Sequence, residues 1–186
     1  IHKALDLGIT FFDTADVYGH RGGSETCLGQ YLGARRKDIV VASKFGNAMD
    51  DAGTMKGASR RYILAAVEAS LKRLKTDWID IYQLHRYDPA TPLEETMRAL
   101  DDLLQQGKIR YIGVSAIAAW RLVDMQWTAR HFGYRALTTC EVEYSLLARD
   151  PERELIPAMI EHGVTLLPYY PLASGFLTGK YRRNAP

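Results

Sequence analysis

Six short runs rich in β-branched and aromatic residues return along the chain: "ITFFD" (9–13), "IVVASK" (39–44), "IDIYQLH" (79–85), "RYIGVS" (110–115), "TTCEVE" (138–143) and "VTLLPY" (164–169). Runs of this length and composition read as strands. Their starts are separated by intervals from 26 residues (138 to 164) to 40 (39 to 79), which is too long for hairpins. Each gap carries helical spacing instead. Ser24 stands before "SETCLGQYL", Ser59 before a run from Arg60 to Lys75, and Thr91-Pro92 before a helix stopped by Gly107. Residues 119–132 and 151–162 supply two more, the last ended by Gly163. In the run after Ser59, Ile63, Ala66, Val67, Ser70, Leu71 and Leu74 fall three or four apart, with Arg60, Arg61, Glu68, Lys72 and Arg73 on the other side. Strands joined through helices lie parallel, so the chain is expected to repeat βαβ units.

Two parallel architectures compete for such a pattern. A doubly wound nucleotide fold announces itself by G-x-G-x-x-G after its first strand, and no such string follows any strand here. A (β/α)8 TIM barrel instead sets polar residues at the C-terminal ends of several strands, as Asp13, Lys44, His85 and Ser115 are set. The barrel is therefore the expected α/β fold. A closed barrel takes about 250 residues. With 186 residues and six strands, this sequence reads as one barrel domain over 1–186, an incomplete segment lacking one strand at each end.

Composition narrows the function. A net charge of +2, with basic and acidic residues interspersed, argues against a nucleic-acid surface or a polybasic membrane patch. No apolar run reaches the roughly 20 residues that span a bilayer. Cys27 and Cys140 are too few and too scattered for a disulfide framework or a zinc site, which points to a reducing, cytoplasmic compartment and to no metal.

The strand tips gather Asp13, Tyr18, Lys44 and His85, polar groups of complementary type, at one barrel mouth. Here "FFDTADVYG", "VVASKFG", "SLKRLKTDWIDIYQLHRYDPATP", "GKIRYIGVS", "EYSLLARDPE" and "YYPLASGFLTGKY" resemble, in order and spacing, the aldo-keto reductase family, in its branch with long connecting loops. The resemblance implies carbonyl reduction by hydride from NADPH, on a tetrad of Asp13, Tyr18, Lys44 and His85. Hydride delivery to a carbonyl carbon leaves charge on oxygen, and Tyr18 would supply the neutralising proton. An unperturbed phenol has a pKa near 10, so its anion needs a cation, which Lys44 provides. Asp13 would hold Lys44 charged against burial, and His85 would hydrogen-bond the substrate oxygen. His2, His20, His131 and His162 read as surface or loop residues, Asp16 as a turn residue, and "SLKRL" and "DWID" as structural.

The resemblance further implies that "YYPLASGFLTGKY" wraps the cofactor pyrophosphate through backbone N–H groups, with Pro171, Leu172, Ala173, Ser174, Gly175 and Leu177 in that loop and Lys180 adding charge. Tyr169 would stack on the nicotinamide, and Tyr170, where Ser is common, would narrow the mouth. Ser115 would bind the carboxamide. Two positions depart from the family pattern: Ala116 stands where Asn is usual and Glu141 where Gln is usual. An ionised Glu141 accepts a hydrogen bond but donates none, and its charge would favour the oxidised nicotinamide. A second expectation, from a different class, is a cofactor-binding regulatory subunit resembling the β-subunits of potassium channels. Substrate, oligomeric state and the choice of NADPH over NADH are not legible in these residues.

Overall fold

A computed structural model describes residues 1–181. Six strands form one sheet in chain order: β1 (Phe11–Asp13), β2 (Val40–Phe45), β3 (Ile79–Leu84), β4 (Ile109–Ser115), β5 (Leu137–Glu143) and β6 (Thr165–Tyr169). Every neighbouring pair is parallel. Sequential order with parallel pairing means that each helix returns the chain to the next position, the winding of a (β/α)8 barrel. Six of its eight strands are present, curled into an incomplete barrel.

The helices are α1 (His2–Asp6), α2 (Tyr18–Leu32), α3 (Arg60–Leu74), α4 (Leu93–Gln105), α5 (Ala119–Phe132) and α6 (Leu155–Glu161). All but α1 were expected; five residues with only Leu5 buried leave too little periodicity to read. The expected helix over 151–162 is divided into a 3-10 turn at Asp150–Glu152 and α6, and Pro157 sits in the first turn of α6, where a missing N–H costs nothing. Ser59 caps α3 as expected, accepting from the Tyr62 N–H at 3.3 Å. Ser24 does not serve α2 in this way: its hydroxyl accepts from Thr14 Oγ1 at 2.7 Å.

Burial follows the period of each element. In α3, Ile63, Ala66, Val67, Leu71 and Leu74 face the sheet, where they meet Val41, Phe45, Ile79 and Tyr82 in one continuous core. All six residues of β3 are buried, as a central parallel strand covered on both faces requires. Met97, Leu100 and Leu103 of α4 and Leu122 and Met125 of α5 extend the same core, each large side chain contributing about 1.5–3 kcal/mol.

The two ends of the sheet differ in chemistry. At the N-terminal ends, the guanidinium groups of Arg36 and Arg110 each lie 4.6 Å from the Trp78 ring centroid. Asp80 pairs with both arginines, at 2.8 and 3.0 Å, and accepts from the Val41 N–H and Trp78 Nε1. The "SLKRL" arginine, Arg73, binds Glu25 of α2 at 2.7 Å and Ser70 at 3.2 Å. Both strings are thus ties between elements. Among the described residues no helix is long and apolar enough to cross a membrane.

Candidate active site

The polar side chains gather at the other end of the strands. Asp13 closes β1, Lys44 lies in β2, His85 follows β3 directly, Ser115 closes β4 and Glu141 lies in β5. Parallel pairing sets these strand ends side by side, and the His85 N–H bonds the Phe45 carbonyl at 2.9 Å, carrying the ladder one residue further. Tyr18 begins α2. Behind it the backbone reverses hand over four residues, Gly19, His20, Arg21 and Gly22, with φ of 66°, 59°, 63° and 114°. Non-glycine residues pay about 1–2 kcal/mol each for such a conformation, so the turn is held by its surroundings.

Lys44 is fully enclosed. Its ammonium pairs with Asp13 Oδ2, lies 3.2 Å from Glu141 Oε2, and donates to the Thr14 carbonyl at 3.1 Å. Lys44 Nζ stands 5.0 Å from the centroid of the Tyr18 ring, and the Tyr18 and His85 rings meet edge to face with centroids 5.6 Å apart. Asp13, Tyr18, Lys44 and His85 therefore do converge. Tyr18, His85, Arg86, Ser115, Glu141, Tyr169 and Tyr170 line a pocket of about 280 Å³.

Each ionisable group bears the mark of this setting. Burial pushes Asp13 up to about 6, with Lys44 opposing and Glu141 adding. The Lys44 ammonium is held above its ordinary value: burial works against the charge, and Asp13 and Glu141 more than offset it. Burial pulls His85 down to about 4, helped by Lys44 and Arg86, so its imidazole is neutral near pH 7. Its Nδ1 is buried with no hydrogen-bond partner among the described residues. Tyr18 was expected to become more acidic beside Lys44. Its pKa is instead raised, because burial comes first and the Asp13 and Glu141 carboxylates offset part of the ammonium's pull. The phenol is thus kept protonated, as a proton donor must be.

Two participants escaped the sequence reading. Gln83 Nε2 donates to Glu141 Oε2 at 3.1 Å and to Asp13 Oδ1 at 3.4 Å, tying the two carboxylates that share Lys44. Its signal was a polar residue two positions before His85 in β3, the spacing that sets both on one face. Gly113 makes room for it: a Cβ there would lie 2.9 Å from Gln83 Cγ. Arg86, exposed at the pocket rim, gave no signal beyond following His85. Asp16 lies apart from the pocket and is described below with its own neighbours.

The model of the aldo/keto reductase family matches residues 1–186. The chain belongs to the aldo/keto reductase family. Among its relatives, the versiconal hemiacetal acetate reductase of Aspergillus parasiticus is 40% identical over 95% of this chain and 57% of its own length. An uncharacterized oxidoreductase of Bacillus subtilis is 39% identical over 96% and 58%. A probable voltage-gated potassium channel β-subunit of Arabidopsis thaliana is 38% identical over 97% and 56%. The chain thus spans less than three-fifths of the length of each of these aldo/keto reductase relatives.

The position where the family pattern has Asn is informative in backbone terms. Ala116 has φ of 48°, in the left-handed region that Asn tolerates better than Ala, so backbone as well as side chain suits Asn there. Tyr170 shares this conformation, with φ of 52°, and its exposed ring packs edge to face on Tyr169. The loop beyond forms a 3-10 turn, Ala173–Thr178, with Ala173, Ser174 and Gly175 at positive φ. The N–H groups of Ala173, Gly175 and Leu177 are used inside this loop, on the carbonyls of Tyr170, Leu172 and Leu172, and Pro171 has none. Among the described residues, the donors left for a phosphate from the expected set are the N–H groups of Leu172 and Ser174. Lys180 folds back over the turn, its Nζ 3.2 Å from where a Cβ on Gly175 would stand.

Proposed function

We propose that the full-length protein is an oxidoreductase that reduces aldehydes or ketones to alcohols with a nicotinamide cofactor, Tyr18 serving as proton donor. The observation that carries this reading is the clustering of Tyr18, Lys44, Asp13 and His85, of which Tyr18 and His85 line the pocket while Lys44 lies against the Tyr18 ring and pairs with Asp13. Family membership and the reductase and oxidoreductase names of the Aspergillus and Bacillus relatives support it. A dinucleotide fits the residues at hand. The orphan His85 Nδ1, the aromatic walls Tyr169 and Tyr170, buried Ser115 and the Lys180 ammonium over Gly175 supply polar, stacking and cationic contacts along one side of the barrel mouth. Ser115 and Tyr169 would hold the nicotinamide end, and Ser174, Leu172 and Lys180 the phosphates. NADP rather than NAD is taken from the family. When bound, the cofactor supplies hydride.

The chain's own part is proton handling and orientation. Neutral His85 offers a hydrogen bond to the substrate oxygen without competing as an acid. Tyr18, kept protonated, gives its proton to the oxygen as charge develops there. Lys44 then faces the phenolate and stabilises it, with Asp13 and Glu141 keeping the ammonium charged. Removal of a positioned acid costs 10²–10⁴ in rate. In full-length protein, Tyr18→Phe is expected to lower turnover of a simple aromatic aldehyde with NADPH by at least about 100-fold while nucleotide affinity, read by fluorescence titration, stays within a few-fold. Turnover near the wild-type rate would remove Tyr18 from the chemistry.

A second reading is a regulatory subunit that keeps cofactor and fold but acts through a partner, supported by the relative named as a potassium channel β-subunit. Absence of turnover in the wild-type full-length protein, with nucleotide still bound, would favour it.

A further inference from the structure

Two carboxylates share one buried ammonium, and one of them, Glu141, lines the pocket. Lys44 is paired with Asp13 and lies 3.2 Å from Glu141, and Gln83, the other donor to both acids, is neutral. His85 is uncharged near pH 7. Arg86 brings a positive charge to the rim, but it is exposed and screened by water, whereas Glu141 and Lys44 are buried. With Asp13 and Glu141 ionised, the trio sums to one negative charge, and of the two acids Glu141 is the buried one that lines the pocket. Lys44 cannot cancel both acids, and a neutral amide at position 141 would leave the sum at zero.

We infer that Glu141, by sharing Lys44 with Asp13, leaves the pocket with a standing negative charge that makes the protein hold the oxidised nicotinamide nucleotide in preference to the reduced one. The two redox forms differ by one positive charge on the ring, and an enclosed negative charge attracts only the form that carries it. Gln83 fixes the geometry, since its amide holds both acids against the same ammonium and neither acid turns away to water. The inference rests on the nicotinamide reading above, and its test separates the two.

The dissociation constants of NADP⁺ and NADPH are measured by fluorescence or calorimetric titration at pH 7.5 on the full-length protein, as wild type, Glu141→Gln and Asp13→Asn. Each substitution removes one negative charge from the trio by a different route. The expected result is tighter binding of NADP⁺ by the wild type. In each folded variant the ratio of the NADPH to the NADP⁺ constant should fall by about tenfold, which is 1.4 kcal/mol. Should one variant fail to fold, the other gives the same readout. A ratio that stays within twofold of wild type in the variants that fold, with both nucleotides bound, overturns the inference and leaves the nicotinamide reading standing. Failure of the wild type to bind either nucleotide overturns both.

Discussion

Enclosing an ammonium among strands sacrifices several kcal/mol of hydration, and Lys44 recovers it from Asp13, Glu141 and the Thr14 carbonyl. Asp16 is compensated far less. It is 1% exposed, neither carboxylate oxygen has a well-formed hydrogen bond among the described residues, and burial pushes it up to about 7, with Glu25 adding and the Val17 N–H, Arg73 and Tyr62 opposing only in part. Because the folded value lies above the ordinary value of 3.8, the folded state binds this proton more tightly. The stabilisation is complete at low pH and is lost as pH rises through about 7. Asp16→Asn removes that loss, so its stability relative to wild type should rise by about 2.7 kcal/mol between pH 5 and pH 8. Thermal melts of both proteins at the two pH values check this, and a gap independent of pH would mean that the carboxylate is hydrated or paired. His85, lowered to about 4, titrates in an overlapping range with the opposite sign but is common to both proteins. Tyr18, Lys44, Asp13 and His85 were legible because each belongs to a string of distinctive order. The sharing of Lys44 was not, since strand parity tells which face a side chain takes and not which neighbour it meets. The raised Tyr18 pKa was hidden for the same reason: it comes first from burial and then from carboxylates on β1 and β5, neither of which a linear reading measures.

At the scale of elements, α2 and α3 are joined more closely than side chains allow. Gly29 lies against the end of α3, and a Cβ there would stand 2.6 Å from the Leu74 carbonyl carbon. Backbone cannot step aside as a flexible side chain can. Gly29→Ala is therefore expected to destabilise the protein by about 1–3 kcal/mol in chemical unfolding, although Ala is the better helix former. A neutral or stabilising result would mean that the helices separate freely. The Arg73–Glu25 pair spans the same contact. The period of α3 and its cap were readable because alternation of apolar and charged faces is a local property. The reversed turn at the start of α2 was not: nothing in the local order of His20 and Arg21 marks two successive non-glycine residues for positive φ.

Across the whole molecule, the two ends of the sheet divide the work, with cohesion at the N-terminal ends of the strands and polar reactivity at the C-terminal ends, as in other barrels of this type. Asp80→Ala tests the division. It strips Arg36, which is buried, of its counter-charge and the Val41 N–H of its acceptor, and should cost about 3–5 kcal/mol of stability. Nucleotide affinity of the protein that remains folded should stay at the wild-type value; a large loss of affinity would show that the ends are coupled. The alternation of strand and helix revealed this architecture because each crossover is written in a contiguous stretch. The cluster of Trp78, Asp80, Arg36 and Arg110 joins residues from three separate stretches and was beyond a linear reading.

The reversal of hand behind Tyr18 bears on how disturbances reach the phenol. A continuous right-handed rod transmits a tilt from one end to the other, because every turn is bolted to the next. Between Gly19 and Gly22 that bolting is interrupted by a segment wound the opposite way. The phenol stands ahead of that interruption, and the neighbours that meet its ring, Lys44 and His85, belong to the strand ends and not to the outer rod.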